Sequence, residues 1–115
     1  MIMSLVMGTA VFSSDAVEGM LQETRNTRRA ADAYQISVAL SMYYDDHKHY
    51  PVVEKHEHDA WAELKEELEP KYIQDLPNDP QIGEGMSYDY ESDGYMAKIQ
   101  YVDERTGEVV ERWSY

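Results

Sequence analysis

The apolar residues in the first half of the chain recur every three or four positions, which is the spacing of one helical face. This stripe runs through residues 30–44, and no proline occurs between residues 13 and 47. Pro51 limits the segment, because the residue before a proline is disfavoured in the helical conformation. The pattern predicts one long amphipathic helix from about residue 3 to about residue 47.

The start of this helix has two interpretations. Ser13, Ser14 and Asp15 have side chains that suit a helix cap, so that a fresh helix could begin there. Alternatively, they form one polar turn of a continuous helix. The first twelve residues, MIMSLVMGTAVF, are uncharged and mostly apolar, but twelve helical residues span only roughly 18 Å, too short for a bilayer. We interpret them as a buried or partner-seeking helix end, or as the end of a longer apolar helix.

A second, shorter helix is predicted in HDAWAELKEELEP. Trp61, Leu64 and Leu68 are three and four residues apart, and acidic residues crowd the first turns. His58 or Asp59 stands at the start of the segment, and Pro70 follows its end. The loop YIQDLPNDPQIGEG comes next and contains two prolines and two glycines, so we expect an ordered turn-rich loop shaped by Pro77, Asp79 and Pro80.

The last third of the chain predicts three antiparallel strands. MSYDYE alternates large apolar with polar residues, SDG is a hairpin signal, and YMAKIQYV follows. DERTGE is a second turn before VVERWSY. The expected fold class is α+β, with the long helix packed on a small three-stranded sheet. We predict that the helix–sheet core contains Ala33, Ile36, Leu40, Tyr43, Trp61 and Leu64, whereas the other faces of the long helix carry Arg25, Arg28, Arg29, Asp32 and Gln35.

Composition narrows the function classes. A chain of 115 residues is long enough for one domain, and 23 acidic against 10 basic residues give a net charge of −13. Residues 51–115 hold 17 of the acids and 6 of the bases. Such a surface repels phosphate backbones, so we expect no nucleic-acid partner. The absence of cysteine excludes disulfides, thiolate metal sites and a cysteine nucleophile.

Candidate metal ligands occur in two places. DDHKH, residues 45–49, places its two histidines only two positions apart just before the helix ends, so we interpret it as a solvated helix end with an adventitious metal site as the alternative. His56 and His58 are interpreted in the same way. A calcium site is a weaker alternative at loop aspartates, since carboxylate oxygens in loops are the usual ligands of that ion. The aspartates concerned are Asp75, Asp79, Asp89 and Asp93.

The order and spacing of these segments resemble type IV pilin-like proteins, most closely the major (G-type) pseudopilin of type II secretion and related bacterial pilins. The segments that carry the resemblance are ETRNTRRAADAYQISVALSMYYDDHKHYP, LEPKYIQDLPNDP and YDYESDGYMAKIQY. Together they cover about residues 20–102. The family's basic leader, Gly–Phe cleavage site and early Glu are not found in this sequence. We therefore expect residues 1–19 to be the remnant of a hydrophobic assembly helix and residues 20–115 to be a pilin-like globular domain.

The resemblance implies a subunit that polymerises and has no catalytic activity, no cofactor and no small-molecule substrate. Its partners would be other copies and other pilin-like subunits, and its location would be the bacterial cell envelope. It would lie in the inner membrane before assembly and in a periplasmic or extracellular filament afterwards. Within the assembly helix, the contacts would come from Ile2, Leu5, Val6, Val11 and Phe12. Arg25, Arg28 and Arg29 would form a turn at the membrane–water boundary and pair with acids of adjacent subunits. The alternative function is a small soluble acidic domain that binds a divalent metal through its loop Asp and His residues.

Overall fold

A computed structural model describes residues 13–53 and 59–115 of the chain. The element order is helix α1 (Ser14–His47), helix α2 (Ala60–Leu68), a single 3-10 turn (Ile82–Glu84), and strands β1 (Asp89–Ser92), β2 (Ala97–Val102) and β3 (Val109–Ser114). The strands form one antiparallel sheet in the order β1-β2-β3. The predicted α+β architecture is confirmed.

Helix α1 begins at Ser14 and not at about residue 3. Ser13 has an extended backbone, and its side chain accepts a hydrogen bond from the Ala16 amide at 3.0 Å. This bond satisfies one of the free amides at the helix start. Of the two interpretations of the helix start, the structure therefore has the one in which a fresh helix begins after a cap at Ser13. The five predicted assembly-helix residues Ile2, Leu5, Val6, Val11 and Phe12 lie outside the described residues.

The helix ends before Pro51, as predicted. Lys48 adopts a left-handed conformation, with φ of 64°, and its amide donates to the Tyr44 carbonyl at 2.7 Å. The chain then turns toward the sheet, where the Tyr50 amide donates to the carbonyl of Gly94 at 2.8 Å. Gly94 has φ of +97°, and a Cβ there would lie 3.2 Å from Val52. A glycine is therefore required at this close contact.

Strands β1 and β2 are shorter than the sequence pattern suggested. The Met86 amide donates to the Gln81 carbonyl, so this residue belongs to the preceding turn. The Asp93 carboxylate accepts hydrogen bonds from the amides of Tyr95 and Met96, which assigns both residues to the hairpin turn. In each case a hydrogen bond within a turn replaces the hydrogen bond between strands that the alternating pattern had suggested.

One side of α1 packs on the sheet and on α2. The predicted core residues Ala33, Ile36, Leu40, Tyr43 and Leu64 are buried, and Trp61 is half-buried against them. Asp59 caps α2 by accepting from the amides of Trp61 and Ala62. The Trp61 indole N–H donates to the Pro77 carbonyl at 3.1 Å, which connects α2 to the proline-rich loop.

Two polar residues of α1 do not lie where the sequence analysis placed them. Arg29 and Asp32 were assigned to the outer faces, but both are buried. The Asp32 carboxylate accepts a hydrogen bond from the Tyr88 hydroxyl at 2.7 Å. Conversely, Ala30 belonged to the predicted apolar stripe and is exposed. Within residues 13–53 and 59–115, no helix combines the length and the hydropathy needed to cross a membrane.

Candidate functional site

The basic turn of α1 is the point where the helix enters the packed part of the chain. The Arg29 side chain is fully buried and forms a two-bond ion pair with Asp79, with Nε and Nη2 2.9 and 3.0 Å from the carboxylate oxygens. Its Nη1 donates to Glu104 at 2.6 Å and to Asn26 at 2.9 Å. The remaining Nη2 hydrogen reaches the Gln81 side-chain oxygen at 2.8 Å. All five guanidinium N–H groups thus have acceptors.

Glu104 is shared by two arginines. Arg25 donates to both of its carboxylate oxygens, and Arg29 donates to one of them. These hydrogen bonds, led by that from Arg25, lower the pKa of Glu104 from 4.5 to about 2. The Asn26 side-chain NH2 donates to the Asp103 carboxylate, and the Asn26 side-chain oxygen accepts from the backbone amide of Glu104. Helix α1 is therefore fixed to both the proline-rich loop and the β2–β3 turn.

This network corrects the predicted role of the basic cluster. The acids that pair with Arg25 and Arg29 belong to the same chain, whereas adjacent subunits had been expected to supply them. Arg28 is different, because it is mostly exposed and lies 3.7 Å from Asp32. The physical reason is geometric: Arg29 precedes Ala33 by four residues and therefore lies on the buried side of the helix.

The first eleven residues of α1, residues 14–24, form what we call the free segment. None of its residues is buried, and Arg29 is the first buried residue of the helix. Val17, Met20 and Leu21 lie three and four residues apart and are 41%, 59% and 47% exposed. This spacing places them on one side of the helix, where they form an uncovered apolar surface.

The Asp- and His-rich C-terminal end of α1 contacts other residues of the fold. The Tyr72 hydroxyl donates to Asp46 at 2.7 Å and lies 3.2 Å from His47 Nε2. The His47 ring stacks on Tyr43, with centroids 4.0 Å apart. Nδ1 of His49 lies 2.8 Å from the Tyr50 carbonyl, which makes that nitrogen the donor. These contacts connect the helix end to the loop after α2, while His56 and His58 lie outside the described residues.

The four aspartates of the calcium alternative have different surroundings. Asp79 is fully buried and engaged by Arg29, and Asp93 caps its own turn through backbone amides. Asp75 is exposed, and Asp89 faces Gln100 in the sheet. A carboxylate in an ion pair with arginine is not available to a cation. In the described part of the chain, no group of three or more His, Asp or Glu side chains could hold a metal ion.

Comparison of the chain with protein-family models, with curated proteins and with solved structures gave no match. The resemblance to pilins therefore stays a prediction from the sequence segments given above.

Sequence reasoning identified Asp79 as a loop-shaping residue but missed its partner, Arg29, and the second carboxylate that Arg29 engages, Glu104. A signal was present in the helix pattern. Residues 29, 33, 36, 40 and 43 follow one another in steps of three and four, which puts Arg29 in line with the buried stripe. A charged residue in such a position requires a buried partner of opposite charge. Nothing in the sequence indicated which of the 23 acids that partner is.

Proposed function

We propose that this chain is a non-catalytic structural subunit of a type IV pilus-like filament or of a type II secretion pseudopilus. The observation that carries this proposal is the division of α1 into two parts. Its C-terminal part is packed on α2 and the sheet, and its free segment presents apolar side chains to the outside. In a subunit of this form, α2, the sheet and the packed part of α1 can stay folded together while the free segment packs against neighbouring copies.

The packed part of α1 supports the same proposal. Ala33, Ile36 and Leu40 are 3%, 0% and 0% exposed, so this part of the helix is held along its length. The Arg29–Asp79–Glu104 network then fixes the helix where the packing ends. Force applied along the helix would be transmitted to the loop and the sheet together, which suits a load-bearing filament subunit.

The direct test is self-association of the full chain. Sedimentation velocity and negative-stain electron microscopy would compare the natural sequence with the double variant Met20→Asp/Leu21→Asp. We expect filaments or large oligomers for the natural sequence and monomers for the variant, because two charges would be desolvated at each contact. Both residues are exposed, so the melting temperature should not change.

The control is Val109→Asp, which introduces one such charge at a residue that is 58% exposed on β3. This variant should assemble like the natural sequence. A natural chain that stays monomeric at every concentration would overturn the proposed function.

Calorimetric titration of the full chain with Zn²⁺ and Ca²⁺ separates this proposal from the alternative, a divalent-metal-binding domain. Sub-micromolar binding that His47 and His49 substitutions abolish would favour the alternative. The contacts of both histidines within the fold argue against it.

A further inference from the structure

Strand β3 lies at an edge of the sheet. Among residues 13–53 and 59–115, β2 is the only strand that pairs with it, and no residue of β3 is buried. Its register with β2 is continuous over six residues, so no bulge interrupts the strand, and it contains no proline. Bulges and prolines are two of the devices that prevent an edge strand from accepting another strand. The edge of β3 has neither of them.

The hydrogen-bond pattern identifies which backbone groups of β3 face outward. The Asp103 amide donates to the Glu108 carbonyl at 2.9 Å, so this pair, which continues the β2–β3 register, is of the hydrogen-bonded type. Along an antiparallel ladder such pairs alternate with pairs that share no hydrogen bonds. Val109, Glu111 and Trp113 therefore point their N–H and C=O groups away from β2. These donors and acceptors are a template for one more strand.

A groove lies between this edge and α1. It has a volume of about 320 Å³, and Tyr34, Ser37 and Val38 line it from the helix. A strand added to β3 would lie about 4.8 Å from it, along this groove. Alternate side chains of the added strand would enter the groove, and the others would lie on the solvent side of the sheet. The groove therefore provides the space that one side of an added strand requires.

Two opposite charges stand at the centre of β3, on opposite faces of the sheet. Arg112 lines the groove, where its Nε donates to the Ser37 hydroxyl at 3.1 Å and its guanidinium lies 5.2 Å from the Tyr34 ring centroid. Glu111 lies on the solvent side, 3.2 Å from Lys98 of β2. Residues directly opposite each other on neighbouring strands interact. The edge therefore favours a strand with an acidic residue opposite Arg112 and a basic residue opposite Glu111.

The same charges disfavour a second copy of β3 at this edge. Two antiparallel copies in one continuous sheet pair residues whose side chains lie on the same face. The two such registers with the longest overlap place either Glu111 or Arg112 opposite its own counterpart. Like charges directly opposite each other are destabilising. A strand with the opposite order of charges therefore fits this edge better than β3 itself.

We propose that the free edge of β3 binds an extended segment of another protein as an antiparallel fourth strand. The segment carries an acidic residue opposite Arg112, followed directly by a basic residue opposite Glu111, because the two strands run in opposite directions. Uncharged β-branched residues at the adjacent positions face Val110 and Trp113. This surface is separate from the free segment of α1, so the inference goes beyond the proposed function and does not rest on it.

Two peptides of the same composition test this order of charges. The first is acetyl-Thr-Val-Glu-Lys-Val-Thr-amide, and in the second the central Glu and Lys are exchanged. NMR would measure amide exchange in the dilute, isotope-labelled full chain. With the first peptide at about ten times its Kd, exchange at Val109, Glu111 and Trp113 should slow about eleven-fold, because only the free fraction exchanges. The amides of Val110 and Arg112, which face β2, should exchange slowly even without peptide.

The second peptide places like charges opposite both Glu111 and Arg112, so we expect it to bind about five-fold more weakly. At the same concentration it should slow the three outward amides only about three-fold. The double variant Glu111→Lys/Arg112→Glu exchanges the two charges of the edge and should prefer the second peptide. Both residues are exposed, so the variant should fold, and its melting temperature checks this.

Each of the remaining outcomes overturns the inference. Equal binding of the two peptides, or a preference that the folded double variant does not reverse, would show that the charges do not select the strand. Slow exchange at Val109, Glu111 and Trp113 without peptide would mean that the edge is already occupied. The occupant would be a second copy if this protection grows with protein concentration, and another part of the same chain if it does not. No slowing at about 5 mM of the first peptide would show that the edge does not accept a strand.

Discussion

At the residue scale, Arg29 shows how a buried charge is made tolerable. A desolvated guanidinium costs several kcal/mol unless its hydrogen-bonding groups are satisfied. Here two carboxylates and two side-chain amides accept its five N–H groups. The planar fork of arginine matches the Asp79 carboxylate, which a lysine could not do with the same geometry. The network therefore specifies how α1 lies against the proline-rich loop.

Replacement of Arg29 should be strongly destabilising. Arg29→Met removes the partner of a carboxylate that is 1% exposed, so we expect a loss of about 3–5 kcal/mol in the free energy of unfolding. The double variant Arg29→Met/Asp79→Leu removes both charges and should recover part of this loss. Urea denaturation monitored by circular dichroism measures both.

Arg28→Met is the matched control for that experiment. The Arg28 side chain is 58% exposed, so its removal should change the free energy of unfolding by less than about 1 kcal/mol. If Arg29→Met were as mild as this control, the network would not hold the helix.

The pKa of Glu104 predicts a dependence of stability on pH. Because the folded state lowers this pKa to about 2 from an ordinary 4.5, the stabilising contribution is complete above pH 4.5. This contribution is lost as the pH falls from 4.5 toward about 2, because Glu104 binds a proton more readily in the unfolded chain than in the folded one. The contribution is at most about 3 kcal/mol.

Glu104→Gln isolates that contribution, because glutamine does not titrate. Urea midpoints measured between pH 6 and pH 2.5 should fall less steeply for this variant than for the natural chain. Asp46, Glu69, Asp93 and Asp103 also have lowered pKa values and will keep a residual slope in both proteins. Identical slopes would show that Glu104 is not held by the two arginines.

At the element scale, helix α1 is one continuous helix with two different surroundings. Residues 33–43 contribute five buried side chains to the core, whereas residues 14–24 contribute none. Isolated helices of this length are marginal in water, because most helical stability in proteins comes from packing. The free segment should therefore open and close locally while the packed part stays folded.

Hydrogen exchange of the monomer tests this difference. Amides of residues 18–24 should exchange at least roughly a thousand-fold faster than those of residues 36–44, since the latter open only with the whole domain. Measurement by NMR or mass spectrometry in dilute solution resolves the two groups. Uniform protection along α1 would indicate that something covers the free segment in the monomer.

Most of the elements could be predicted from the sequence because each has a local signal. The three- and four-residue spacing before Tyr44, the cap at Asp59 and the hairpin signal at Gly94 all agree with the fold. The helix start was ambiguous, because the cap signal at Ser13 competed with the apolar residues on both sides of it. The strand ends were missed where an aspartate side chain formed turn bonds that an alternating pattern does not reveal.

The candidate site was less predictable than the fold. Asp79 was identified because Pro77 and Pro80, which are local signals, lie on either side of it. Its pairing with Arg29, however, joins residues that are 50 positions apart. Likewise Glu104 is one acid among many in the second half of the chain. Which acid reaches a buried arginine depends on how loop, turn and helix pack together, and single-sequence patterns contain no information about that packing.

At the scale of the whole molecule, charge and apolar surface are segregated. The acids concentrate in residues 51–115, and the described part of this range includes α2, the proline-rich loop and the sheet. The free segment of α1 exposes the apolar side chains of Val17, Met20 and Leu21. In a filament built through the free segment, the acidic parts of neighbouring subunits would remain close enough to repel one another.

This repulsion predicts that salt promotes assembly. Raising NaCl from about 0.01 M to about 0.15 M shortens the screening length from about 30 Å to about 8 Å, which weakens repulsion between subunits and leaves apolar contacts unaffected. The concentration at which the full chain begins to pellet should accordingly fall several-fold across this range, and the Met20→Asp/Leu21→Asp variant should remain soluble throughout it. Weaker assembly at higher salt would instead mean that pairs of opposite charge, such as the exposed Arg28 with an acid of the next copy, hold the subunits together.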